Sequence, residues 1–298
     1  MRIDGHLHCW RPSLGFDNKP VADQAAYRRD FLPADILPEL DACGIDAVLL
    51  VQACPQVAET EWLLALAARE PRILGVTGWV DLADAALDAG ALVERDALAG
   101  VRAQLRRIPD AGFVLQPTVL ANLARVLDAG LGVTLLAEHR HYPHVQQALR
   151  ALPAGPVTFN HLAMRFPDVD ANDWRNMLAA IRERPDTYLQ LSGIPFLFGD
   201  AWRDGAADRV LAEALQLVGP ERLVFASDWP MLVRFATYAE WVRTVEGLLD
   251  AHRLSAAERA AIFGGNVLRA NPRLATATRR RTAAQSGAST PPVPRRVP

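Results

Sequence analysis

The chain has 298 residues, of which 50% are hydrophobic and 22% charged, with a net charge of −2. That composition supplies one large core. It offers no basic excess for nucleic acid and no apolar run near the roughly 20 residues that a membrane-spanning helix needs.

The amino terminus lacks the charged-then-apolar layout of a signal peptide. The three cysteines, Cys9, Cys43 and Cys54, have no metal-motif spacing. A reduced, cytoplasmic protein is the simplest expectation.

In chain order, eight short apolar segments read as strands. They are RIDGHLHCW at the start, DAVLLVQA (46–53), ILGVTGWVDL (73–82), AGVRAQL (99–105), GVTLLAEH (132–139), PVTFNHLA (156–163), TYLQLSGI (187–194) and RLVFASDWP (222–230). The intervening AETEWLLALAARE, TVLANLARVLDAG, PHVQQALRAL, DWRNMLAAIRER and DRVLAEALQLVG read as helices. Leu120, Leu123, Val126 and Leu127 recur at helical spacing, and Gly130, Gly155 and Gly219 sit where helices should stop. The stretch RPSLGFDNKPVADQ after the first strand is irregular, and ADILPELDACG supplies the helix before the second. Two more helices, TYAEWVRTVEGLLDAH and SAAERAAIFGGNVLRA, close the pattern, with Ser255 and Glu258 forming a capping box for the latter.

Strands that alternate with helices require a parallel sheet, because each crossover needs a helix-length connection. Eight such units suit a single α/β domain over 1–274, a (β/α)8 TIM barrel of about 250 residues. A doubly wound open sheet is the alternative, but no glycine-rich phosphate turn follows the first strand. From Ala275 onward the chain holds five arginines and no acidic side chain. Residues 275–298 therefore read as a disordered basic, Pro-rich tail. Removing its five charges from the net −2 leaves residues 1–274 at −7.

Barrel enzymes draw their active-site side chains from the carboxyl ends of the strands. Those ends carry residues that an apolar core would not choose: His6 and His8, Gln52, Trp79, Arg102 and Gln104, Glu138 and His139, His161, Gln190 and Ser192, and Asp228. By alternation, Asp4, His6 and His8 share one face of the first strand, and Ile3, Leu7 and Cys9 the other. The same rule places Val224, Ala226 and Asp228 inside on the eighth strand, and Val157, Phe159 and His161 inside on the sixth. Histidines from strands one and six and a carboxylate from strand eight would then meet at one barrel mouth. Imidazoles and a carboxylate suit zinc or a similar divalent ion. The ion would polarise a carbonyl and activate water, or Asp228 would take a proton from the water directly. Each residue also has a bland reading: a packed core histidine, Asp228 as a helix cap, Arg102 paired with a neighbouring carboxylate rather than a substrate anion.

IDGHLHCW, AGVRAQL, FNHLA, LQLSGI and ERLVFASDWP, in that order, resemble the amidohydrolase superfamily. The similarity is greatest to its amidohydrolase-2 branch of sugar-lactone and dicarboxylate-lactone hydrolases, L-fuconolactonase-like enzymes among them. IFGGNVLRA resembles that branch's closing helix, and the likeness spans about 1–272. It implies a distorted, metal-dependent-hydrolase-like barrel that opens cyclic esters. Carried over by residue, His6, His8, His161 and Asp228 are the metal ligands, Asp228 with His161 the catalytic pair, and Arg102 a substrate holder. Without a strand lysine to bridge two ions, the resemblance implies one divalent metal, zinc (Zn2+) being the expected ion, or a metal-free site.

Relatives often read VRH on strand four and KLSG on strand seven, where this chain has Ala103 and Gln190, and strand five ends in Glu138 and His139 where a basic residue is usual. These departures favour a neutral sugar lactone as the small-molecule partner over a strongly anionic one. Gln52, Gln104, Gln190, Trp79 and His139 are then candidates for its hydroxyls and ring faces. No nucleic-acid or membrane partner is expected, and self-association is open. A metal-dependent decarboxylase of the same branch and a non-catalytic ligand-binding barrel are the competing readings.

Overall fold

All eight segments read as strands are strands, and they form one parallel sheet in sequential order. The computed structural model describes residues 1–16 and 25–274; the expected tail and part of the irregular stretch after the first strand lie outside the described residues. The strands are β1 (Ile3–Leu7), β2 (Ala47–Val51), β3 (Ile73–Gly78), β4 (Leu98–Ala103), β5 (Gly132–Leu135), β6 (Val157–Phe159), β7 (Thr187–Leu191) and β8 (Leu223–Phe225). His6, Arg102 and Gln190 stand within β1, β4 and β7 near their carboxyl ends, whereas His8, Gln52, Trp79, Gln104, His161 and Asp228 stand just beyond the strands. The barrel closes beyond β8, where His8 N donates to Trp229 O at 2.7 Å and Asp228 N donates to His6 O at 2.9 Å. Closure therefore occurs beside the histidine pair.

The expected helices are present at Pro33–Ala42, Val57–Ala67, Pro117–Asp128, Tyr142–Ala151, Ala171–Glu183, Ala206–Val218 and Tyr238–Ala251. The final helical stretch, Ala256–Ala260 to Asn266–Ala270, is broken by a π turn at Ala261–Gly265 and opens on the Ser255–Glu258 capping box. A short helix at Ala89–Val93 was not legible in the sequence. Among the described residues no helix is long and apolar enough to cross a membrane.

Two strands depart from simple alternation, for different reasons. In β1, Ile3 and Asp4 pair with Ala47 and Val48, whereas Leu7 pairs with Leu50, so Gly5 and His6 together oppose Leu49. This bulge shifts the side-chain parity by one. Ile3 consequently joins Leu49, Val224 and Val267 in the small apolar cluster on the barrel floor. Asp4 points the other way, accepting from Tyr238 Oη of an outer helix at 3.1 Å. Asp4 and His6 thus do not share a face, while His6 and His8 do. Glycine is required in the bulge, since a Cβ on Gly5 would lie 2.6 Å from Val224 Cγ1.

In β6, Val157 and Phe159 join the main core against the helices, and Asn160 faces the interior, where it bonds Arg102 and Gln190. The interior face of β6 is thus the Thr158–Asn160 face, opposite to the Val157–Phe159 face expected from alternation. His161 reaches the site only because the chain turns sharply after Asn160.

Candidate active site

The residues at the barrel mouth are held by buried hydrogen bonds that fix their protonation. His8 Nδ1 lies 2.7 Å from the carbonyl oxygen of Val51. A carbonyl only accepts, so Nδ1 carries a proton, and in the neutral ring Nε2 is the nitrogen that presents a lone pair. Gln190 Nε2 donates to Gly5 O at 3.2 Å, which turns Gln190 Oε1 toward His6 Nδ1 at 2.7 Å. Asn160 Nδ2 also stands 3.2 Å from His6 Nδ1, but it donates to Gln190 Oε1 at 2.6 Å, and the shorter Gln190 contact puts the proton of the neutral His6 ring on Nδ1 with Nε2 bare. The two bare nitrogens stand 3.1 Å apart.

Asp228 Oδ1 is 3.3 Å from His8 Nε2 and 3.6 Å from His6 Nε2, and it has no aligned hydrogen-bond partner among the described residues. His161 Nε2 approaches Asp228 Oδ2 at 3.8 Å, with its Nδ1 2.9 Å from Ser192 Oγ. His6, His161 and Asp228 offer ligand atoms all within 4.8 Å of one another. Lone pairs converging with no hydrogen between them repel one another unless a cation lies among them. The donor set, imidazole nitrogens and one carboxylate, fits a divalent ion such as zinc.

The electrostatics agree. Burial pushes the His6 imidazolium well below its ordinary range, with the charges of His8, Arg102 and His161 adding to the effect. Burial also pushes His161 down to about 4 against the opposing pull of Asp228. Burial opposes the charge on Asp228, but His161, His8 and Arg102 outweigh it and hold the carboxyl below its usual range. At neutral pH His6 and His161 are neutral and Asp228 is ionised, the state a metal needs.

Beside this cluster, Arg102 is almost fully buried, and burial lowers its guanidinium to about 10. It donates from Nε to Asn160 Oδ1 and from Nη1 to Gln52 O, both at 2.8 Å. Asn160 Nδ2 in turn donates to Gln190 Oε1 at 2.6 Å. A continuous chain of hydrogen bonds thus runs from Arg102 through Asn160 and Gln190 to His6. Arg102, Gln104, Trp79, Arg107, Ile108 and Phe113 line a cavity of about 210 Å³. Gln104 Nε2 donates to Gln52 Oε1 at 3.1 Å, leaving Gln52 Nε2 and Gln104 Oε1 without partners among the described residues.

The structure brings His6, His8, His161, Asp228, Arg102, Gln52, Gln104 and Gln190 together, with half-buried Trp79 on the adjoining cavity wall. It changes two expectations. Gln190 is occupied by His6, Asn160 and Gly5, so it orients the His6 ring rather than facing the cavity as a partner for a substrate hydroxyl. His139 is exposed and lines a separate surface depression with Tyr142, Gln146 and Asp173. Asn160 was the missed member, and the alternation of Thr158 and Asn160 against Val157 and Phe159 was the signal that could have found it.

Two site residues sit on unusual backbone. Asp228 has φ 57° and His161 φ 50°, within the left-handed region, which costs a non-glycine residue about 1–2 kcal/mol. Such conformations persist where surrounding contacts impose them, often at functional sites.

The family model described as amidohydrolase matches residues 3–270. An L-fucono-1,5-lactonase of Burkholderia multivorans is 33% identical over 289 residues, covering 90% of this chain and 95% of the relative. An L-fucono-1,5-lactonase of Burkholderia ambifaria is 28% identical over 278 residues, covering 89% and 93%. A crystal structure of an amidohydrolase from Burkholderia multivorans with bound zinc matches at TM-score 0.81 and 30% identity, covering 91% of this chain and 98% of that one.

Proposed function

The chain belongs to the amidohydrolase family, and we propose that it hydrolyses a cyclic ester, a neutral sugar lactone, with Asp228 as the base that activates water. The observation that carries this reading is the convergence of three histidines on Asp228, whose Oδ1 lacks a hydrogen-bond partner among the described residues.

Bound by His6, His8, His161 and Asp228, a divalent ion, zinc by analogy with the Burkholderia multivorans structure, would polarise the lactone carbonyl and acidify a water. Asp228 takes the water proton as oxygen attacks the carbonyl carbon. It returns that proton to the ring oxygen as the C–O bond breaks, giving the open hydroxy acid. Arg102, fixed by Asn160 and the Gln52 carbonyl, orients the substrate oxygen. The unpaired amide groups of Gln52 and Gln104 meet substrate hydroxyls, and the Trp79 face covers the ring. The two lactonase relatives support a sugar lactone as the substrate class.

The test is Asp228→Asn in the purified full chain, assayed on a panel of aldonolactones. The expected outcome is a fall in kcat of about a thousandfold or more with KM little changed. Undiminished hydrolysis would remove Asp228 from the mechanism.

A further inference from the structure

His161 does not stand on β6, which ends at Phe159. It opens a turn in which His161, Leu162, Ala163 and Met164 all have positive φ, 50°, 52°, 58° and 58°. Four successive non-glycine residues in this region crowd each Cβ against the following carbonyl, and no glycine relieves them. The surrounding contacts must hold such a turn.

Two donors do so. Trp174 Nε1 donates to Leu162 O at 2.8 Å, and Tyr142 Oη donates to Ala163 O at 2.7 Å. These are the carbonyls of the two residues that follow His161. Both donors are buried and come from different helices, Tyr142–Ala151 and Ala171–Glu183. The imidazole itself is held from the other side. Ser192 Oγ lies 2.9 Å from Nδ1, and Gly193 packs so closely that a Cβ there would lie 2.7 Å from the His161 Cβ. The ring is held by β7's end, the backbone by Tyr142 and Trp174.

We propose that Tyr142 and Trp174 are positioning residues for His161: their hydrogen bonds keep the left-handed turn that aims Nε2 at Asp228. Removing either donor leaves a buried carbonyl unpaired and frees the peptide to relax toward right-handed geometry, carrying the imidazole off line. The inference rests on the reading of His161 as part of the reactive centre.

The test uses the full, zinc-loaded chain with Tyr142→Phe, Trp174→Phe, His161→Asn, and each of the first two combined with the third. Tyr142→Phe keeps the ring and deletes only the donor. The expected result is a fall in kcat of about tenfold with KM within about twofold. In the His161→Asn background the same substitution changes kcat no further. Side-chain 15N resonances of His161, assigned by their loss in His161→Asn, shift in the zinc-free Tyr142→Phe protein. An unmoved His161 resonance, or an equal fall in kcat with and without His161, would overturn the proposal. If the wild type opens no lactone, the function reading fails, and the resonance measurement still decides this one.

Discussion

His6 Nε2 and His8 Nε2 face each other at 3.1 Å, each with its proton drawn to the opposite ring nitrogen by Gln190 Oε1 and Val51 O respectively. With both rings neutral, the two facing lone pairs are destabilised unless a cation separates them. Metal binding should therefore stabilise the fold as well as enable chemistry. At a thousandfold excess over Kd a ligand specific to the folded state adds about 4 kcal/mol. Zinc added to chelator-treated protein should raise the melting temperature by several degrees, and His8→Asn should reduce that rise. An unchanged melting temperature with zinc, manganese and cobalt would mean that a shared proton holds the pair instead.

Gln190 Oε1 is the acceptor that faces His6 Nδ1, at 2.7 Å, and it joins His6 to the Arg102–Asn160 pair, alongside the longer direct approach of Asn160 Nδ2 to Nδ1 at 3.2 Å. Partners of this kind fix a ligand histidine's tautomer, and losing one typically weakens metal binding 10–100-fold. Gln190→Leu keeps the volume and removes the acceptor. We expect zinc affinity, measured by competition with a chromogenic chelator, to drop by a factor in that range, and the metal-free protein to melt lower as well, because Gly5 O and Asn160 Nδ2 lose their buried partner. Unaltered affinity would show that His6 needs no orienting partner.

The architecture was legible because its signals are local and repeated. Strand and helix periods alternate along the chain, and each polar strand end marks the same face of the barrel. His6, His8 and Asp228 were legible because the spacing in HLH and the position of SDWP survive small errors of register. What failed depends on single backbone events with little compositional signature. The bulge at Gly5 and His6 inverts Ile3 and Asp4, and one glycine in a strand signals it only weakly. The turn after Asn160 contains no glycine, so nothing in the sequence marks the backbone reversal that brings His161 to the site, although the FNHLA resemblance points to the residue itself. His139 was misplaced because β5 ends at Leu135, four residues earlier than the apolar run suggests.

Glu59 is fully buried and accepts from the backbone nitrogens of Ala53 and Cys54 at 3.0–3.1 Å, tying down the loop that carries Gln52. Burial raises its carboxyl from 4.5 to about 7, the backbone donors only partly opposing the shift. The folded protein thus keeps a proton that the unfolded chain releases near pH 4.5. Its contribution to stability is greatest below pH 4.5 and is lost as pH rises through 7. Asp4, raised to about 6 by burial, acts in the same direction, so the comparison with Glu59→Gln isolates Glu59. The stability of wild type relative to that variant, from urea midpoints, should fall by about 3 kcal/mol between pH 4.5 and 8. A pH-independent difference would place Glu59 in the ionised state throughout.

Ala97 sits at φ 63° in the turn that precedes β4, with its carbonyl accepting from Val76 N at 2.8 Å. The side chain therefore strains a backbone whose hydrogen bond must be kept. Glycine relieves the left-handed penalty of about 1–2 kcal/mol and returns part of it as unfolded-chain entropy of about 0.5–1 kcal/mol. Ala97→Gly should stabilise the protein by about 0.5–1 kcal/mol. The control is Ala124→Gly within the helix Pro117–Asp128, where the same change should destabilise by about 1 kcal/mol. Urea unfolding of the two variants beside wild type decides the matter. Equal destabilisation by both would mean that Ala97 is unstrained.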